Sequence, residues 1–280
     1  MSAPPLLTDR NALLRNRIQR LQEDALFLHK VAARNLQERL IEVNRDFTAP
    51  AIVAPFSAVW AEVLPDARIL PDEDVLQLDQ AAHDLVIHAM SLHWANDPVG
   101  QLVQCRRALK PDGLCIVVCF GGQTLHELRA VLAEAEVAAT GGLTPRVAPM
   151  GDIRDLGALL QRAGFALPVA DSQPQTVQYK SLFGLAHDLR HMGEGNALAQ
   201  RHRHIPPRAL FADAARRYAD TFPGPDGGIQ ATFELCYLTG WAPSDSQPKP
   251  LRPGSATTRL ADALGATERP AGDKADPGRD

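Results

Sequence analysis

His88, His93 and Trp94 stand within seven residues of one another where an apolar run, residues 84–89, gives way to polar sequence. A second set, Met192-Gly193-Glu194-Gly195-Asn196, places a carboxylate between two glycines at the end of a helical stretch. These residue types suit a binding pocket: an indole face for stacking, imidazoles for hydrogen bonding, a carboxylate and an amide for a polar substrate. Each set also has a purely structural explanation. The rings can be core groups with satisfied nitrogens, and Glu194 can be the exposed side chain of a helix C-cap. Position favours pocket lining for the first set, because ligands of open α/β sheets sit beyond the carboxyl ends of strands. For Met192, Glu194 and Asn196 the residues leave both readings open. Proton transfer by the histidines has less support than either.

Other chemistry-bearing residues reduce to packing or solvation. His187 and His191 share a helical face four residues apart, as zinc ligands do, but Asp188 replaces the usual glutamate and no third ligand is evident; a metal site is rejected. Cys115 and Cys119 lie on one face of an apolar strand, with a spacing that fits neither a zinc knuckle nor a redox pair. Gly121 and Gly122 make either a tight turn or a place where backbone meets ligand.

The elements that position these residues follow from periodicity. Residues 84–89 read as a buried strand, Asn96-Asp97-Pro98 as a helix start, and residues 99–109 as an amphipathic helix. Lys110-Pro111-Asp112-Gly113 reads as a turn and residues 114–120 as a second buried strand. Thr124 and Glu127 have capping-box spacing for a helix over 124–139. Further helices are expected at 21–43, 57–64, 152–163, 181–192 and 207–221. Strands are expected at 165–169 and 176–179 around a proline loop, and at 228–241. Strands alternating with helices predict an α/β class with a mostly parallel sheet.

SLHWANDP, LKPDGL and FGGQTLHELR resemble the second half of a class I S-adenosylmethionine-dependent methyltransferase domain. More narrowly, they resemble the branch holding the complex I assembly-factor methyltransferases and the malonyl-carrier-protein methyltransferases of biotin synthesis. Residues 156–165, Met192 to Asn196 and Gly254-Ser255-Ala256-Thr257 extend the likeness, which covers most of 84–260. The resemblance implies a Rossmann-like methyltransferase fold with a helical cap at about 181–221. It implies S-adenosylmethionine as cofactor, against Asp72, His88, Leu92, His93, Trp94, Gly121 and Gly122. Met192, Glu194 and Asn196 would face substrate, either a protein, such as a respiratory complex I subunit, or a small acid. The assembly-factor branch has also been linked to arginine hydroxylation. No catalytic residue is assigned.

One departure stands out. The family's first strand ends in an acid and a glycine-rich loop, whose amides approach the cofactor. Here the corresponding segment is Ala51-Ile52-Val53-Ala54-Pro55-Phe56-Ser57-Ala58. Ile52 stands where the acid would be, and Ala54, Phe56 and Ala58 stand where the glycines would be. Losing the acid and one or two amides removes about 3–6 kcal/mol, at roughly 1.5–3 kcal/mol for a hydrogen bond to a charged group. Micromolar binding amounts to about 8 kcal/mol, so the cofactor is expected to bind weakly. The chain is also short before His83, leaving room for one further strand; residues 67–74 serve as either the second or the third strand of the parent fold, truncating its first half.

At 280 residues, 45% hydrophobic and net charge −4, the chain can bury one sizeable core and makes no electrostatic case for nucleic acid. No run is long and apolar enough for membrane insertion, and the basic N-terminus lacks the apolar core of a secretory signal. Four cysteines without framework spacing predict a reducing, cytoplasmic setting. The expected organisation is an N-terminal helical segment (1–45), an α/β domain (46–241) and an extension (242–280) with a disordered tail at 269–280. Three functions remain open: an enzyme, a binding module that keeps the fold without chemistry, and a generic Rossmann nucleotide binder. The last has no glycine fingerprint.

Overall fold

The computed structural model describes residues 6–248 and Gly265. Chain contacts divide into two units, Met1–Ser244 and Asp245–Asp280. The described residues of the second unit form no helix or strand. Residues 254–257 and 269–280, which carry a family likeness and the expected disordered tail, lie outside the described residues.

The first unit is built on a six-stranded sheet in the order β2-β1-β3-β4-β6-β5. Its strands are β1 (Pro50–Val53), β2 (Arg68–Leu70), β3 (His83–Ala89), β4 (Leu109–Phe120), β5 (Ala166–Tyr179) and β6 (Ile229–Trp241). The first four run parallel, and β6 lies antiparallel between β4 and β5. This is the α/β class expected from the sequence. From β1 the chain steps outward to β2, then returns to place β3 on the other side of β1. The carboxyl ends of β1 and β3 therefore flank the switch point, where such sheets bind ligands. Residues 67–74 contribute only β2, which pairs directly with β1.

Alternation along the strands divides the core. Ile52, Leu85, Ile87, Ile116, Val118, Phe233 and Leu235 face one side, under α2 (Phe27–Val43), α3 (Ser57–Ala61), α5 (His126–Thr140), α7 (Leu182–His191) and α8 (Arg208–Thr221). Ala51, Val53, Val86, Cys115, Val117, Cys119 and Leu238 face the other, under α4 (Pro98–Ala108) and α6 (Ile153–Arg162). Both cysteines are fully buried on that second face, as packing residues should be.

Several boundaries differ from the sequence reading, each for a physical reason. The helix expected over 21–43 begins at Phe27, after a 3-10 turn at Glu23–Leu26, and ends as expected at left-handed Asn44. A separate helix, α1 (Arg10–Gln19), precedes it, capped by Asp9, whose carboxylate accepts from the Ala12 amide. Residues 110–113 belong to β4, and the bend survives as positive φ at Asp112 and a register shift opposite His83 and Leu85. The capping box does not form. The Thr124 hydroxyl is bonded to the Glu234 backbone, and Glu127 accepts from Thr232, so β6 has recruited both side chains. β5 is continuous through Pro174, because an edge strand tolerates a missing amide. The α4 start at Asp97-Pro98 forms as expected.

Candidate active site at the strand ends

Helix α1 crosses the carboxyl ends of the parallel strands and is fastened there by polar side chains. The buried Arg17 guanidinium holds both carboxylate oxygens of Asp72 at 2.9 Å, and Arg10 adds bonds to the Asp72 side chain and carbonyl. Asn16 donates to the Gly195 carbonyl, 3.0 Å away. The periodicity that places Leu13 in the core also carries Arg10 and Arg17 inward. Asp72, expected to meet a ligand, is thus occupied by two arginines of the same chain.

The turn after β1 is closed in a different way. No residue in 54–58 has left-handed backbone, and the Ala54 amide is bonded to the Leu70 carbonyl at 2.9 Å. Ile52 lies in the core. Phe56 turns its buried ring edge-on against His29, with centroids 5.0 Å apart. A Cβ on Gly193 would come within 3.3 Å of that ring and 2.9 Å of Arg17 Cγ. Phe56, Arg17, His29 and the 193–194 turn therefore form one dense cluster.

Glu194 anchors its other side. Gly193 takes positive φ at the end of α7, its amide bonds the Arg190 carbonyl, and the Glu194 amide bonds the Leu189 carbonyl. This is a Schellman termination. The cap expected from the sequence is present, but the Glu194 side chain is 5% exposed rather than solvated. One oxygen accepts from the Trp94 indole at 2.7 Å and lies 3.4 Å from His93 Nε2. Burial alone would push this carboxyl up; His93, Arg17 and the indole N–H outweigh it and hold it at about 2. His29 is driven the other way, down to about 4, by burial.

Several atoms in this cluster have no partner. Arg17 Nε and Nη2, both ring nitrogens of His29 and Glu194 Oε1 are buried without a hydrogen bond. Unsatisfied buried polar groups cost about 1–3 kcal/mol each, so these five leave hydrogen-bonding capacity open to water or a polar ligand.

Beside the cluster, over β4 and β6, lies a cavity of about 240 Å³. Its walls include Trp94, Phe120, Leu128, Met150, Phe211 and Phe233, and its polar groups include Arg146, Arg190, Glu194 and Asn196. Arg146 is held by Glu136 at 2.6 Å. Arg190 is exposed and, among the described residues, its guanidinium has no partner.

Of the residues singled out from sequence, Trp94, Glu194 and Asn196 line this cavity, and His93 abuts it through Glu194. His88 is fully buried, with Nε2 2.7 Å from Gln101, and burial lowers its pKa. Leu92 packs into the core beneath α4 and Met192 into the core under α7. Gly121 and Gly122 do not line the cavity: a Cβ on Gly121 would strike Cys236 Sγ at 2.4 Å, so close strand packing explains it. The His187 and His191 rings sit tilted against each other with centroids 4.1 Å apart, and His191 Nδ1 is bonded to the Arg20 carbonyl. Sequence reasoning missed Arg10, Arg17 and His29. The available signal was seven-residue spacing between two arginines on a helix face that also carries Leu13.

The profile described as "Methyltransferase domain" matches residues 26–117. The mitochondrial arginine-hydroxylase NDUFAF5 of Danio rerio is 38% identical over 199 residues, which is 71% of this chain and 62% of that protein. The chain thus spans less than two thirds of that relative. A malonyl-[acyl-carrier protein] O-methyltransferase of Gallionella capsiferriformans is 30% identical over 208 residues, 73% of this chain and 68% of that enzyme. Among solved structures, a Bacillus halodurans protein described as a "putative methyltransferase" gives a TM-score of 0.47 at 11% identity, covering 74% of this chain and 99% of the other. Identity at this level across two thirds of a relative's length is inheritance rather than convergence, and the chain belongs to the class I S-adenosylmethionine-dependent methyltransferase family.

Proposed function

We propose that this family member binds S-adenosylmethionine weakly at the β1–β3 switch point and methylates a protein or small-acid substrate held in the adjoining cavity. The observation that carries the reading is the set of partnerless buried atoms on Arg17, His29 and Glu194. An amino-acid zwitterion matches them: Arg17 would hold its carboxylate and Glu194 its ammonium. The fit is incomplete at the β1 turn, where Phe56 and the bonded Ala54 amide supply no cradle. That is the reason for weak binding.

When bound, the cofactor supplies an electrophilic methyl group. The protein's own part is to orient the acceptor and keep water out, for which the apolar wall of Phe120, Leu128, Phe211 and Phe233 is suited. A displacement of this kind needs alignment more than a base, so no residue need act as one. Arg190 at the cavity would attract an acidic group on the substrate. The likeness to the assembly-factor branch supports a respiratory complex I subunit as the protein substrate, and four free, buried cysteines suit a cytoplasmic setting.

A second reading has its own observation. Phe56 packed on His29, with Asp72 locked by two arginines, suits a docking module that has kept the fold without chemistry. Calorimetric titration with S-adenosylmethionine and S-adenosylhomocysteine separates the two. The enzyme reading expects a Kd of a few hundred micromolar, about −5 kcal/mol. No heat at millimolar ligand would establish the docking module.

A further inference from the structure

The outer face of α1 carries exposed aliphatic side chains among arginines. Leu14 and Ile18 are one turn apart on it, Leu21 follows, and all three are exposed, Ile18 by 78%. Between them stand Arg15 and Arg20, exposed and without a side-chain partner among the described residues. The segment 195–203 runs against the start of this helix: Asp9 pairs with Arg201 and Arg203, the Asp9 amide bonds the Ala197 carbonyl, and the Ala199 amide bonds the Leu7 carbonyl. That segment leads into Ile205, which is 96% exposed, with Arg203 and Arg208 on either side. Leu6 is exposed at the other border. No acidic residue occurs in 10–22 or 195–212, although the whole chain carries net charge −4.

We propose that this face docks peripherally on an anionic lipid surface. Ile18, Leu14, Leu21 and Ile205 would enter the headgroup boundary, while Arg15, Arg20 and Arg208 meet lipid phosphates. Among the described residues no helix is long and apolar enough to cross a membrane, so the contact is superficial. Projecting aliphatic side chains ringed by arginines fit a bilayer boundary, whereas a protein partner calls for aromatic anchors and a recess, and this face offers neither. Helix α1 is ten residues long, about 15 Å, so both ends can rest on the bilayer together. Because its inner face holds Asp72 and Gly195, docking would turn the strand carboxyl ends toward the lipid.

Vesicle flotation of the full chain tests this. The chain should float with vesicles of phosphatidylcholine containing phosphatidylglycerol, float poorly with phosphatidylcholine alone, and detach at high salt. Each arginine near such a surface contributes a factor of about five, so R15E/R20E should lower the partition more than tenfold. I18D should lower it to a similar degree. All these side chains are exposed, and unchanged melting curves would show that the variants fold. I41D, which removes an exposed isoleucine from α2, should float like the parent. Flotation that ignores lipid charge, or that survives both R15E/R20E and I18D, overturns the proposal. So does indifference to every vesicle combined with Ile18-dependent binding of polyglutamate, which would make the face a protein-docking surface.

Discussion

Over β1, the carboxyl edge of the sheet is filled by the protein's own side chains; over β4 and β6, it is open. The first end holds Phe56 against His29 and Asp72 between Arg10 and Arg17. The second end holds an aromatic-walled cavity of about 240 Å³. Glu194 belongs to both: it lines the cavity and faces Arg17 and His93. On the proposed reading the open end would take the methyl acceptor and the filled end the donor, so the two ends can be tested separately.

The largest expected effect tests whether the rebuilt end is structural. Asp72→Ala leaves Arg17 buried and uncompensated and should cost about 3–5 kcal/mol in urea denaturation. A loss below 1 kcal/mol would mean that α1 is only loosely held. Next in size is a pH effect. His29 titrates at about 4 when folded and near 6.5 when unfolded, so the unfolded chain takes up the proton first as pH falls. Stability should decline by about 3 kcal/mol between pH 6.5 and pH 4, and His29→Leu should remove that slope. Glu194 acts lower, its depressed value giving stability present above pH 4.5 and lost as pH falls towards 2.

A smaller effect sharpens the comparison at the donor end. Phe56→Gly should tighten S-adenosylmethionine about tenfold, or 1.4 kcal/mol, while lowering the melting temperature. Unchanged or weaker binding would show that this ring is not the obstruction. The smallest effect lies at the open end. Arg190→Ala should alter stability by less than about 0.5 kcal/mol, yet raise KM several-fold for an acidic substrate. An unchanged KM would remove Arg190 from substrate binding.

How legible was this in the amino-acid sequence? Strand runs such as 84–89 and 114–120 announce themselves because both faces are covered, and Asp97-Pro98 starts a helix by local chemistry alone. Trp94 and Glu194 stood out for local reasons, a strand end and a glycine-flanked cap. What escaped was non-local. Thr124 and Glu127 look like a capping box until β6 is beside them, and Pro174 looks like a loop until β5 is known to be an edge. Arg17 drew no notice, since nothing nearby in sequence reveals Asp72 as its partner 55 residues away. The sequence did show that the β1 turn had lost its glycines, but not that Phe56 would be packed by an imidazole.

The Schellman turn at Gly193 has a consequence for motion. It ties the last turn of α7 to the Trp94 indole and to His93 through the buried Glu194 carboxylate. Unwinding that turn would strand the anion, so the amides of residues 189–194 should exchange with solvent only when the whole molecule opens. The part of the cavity wall formed by Glu194 and Gly195 would then stay still during local opening.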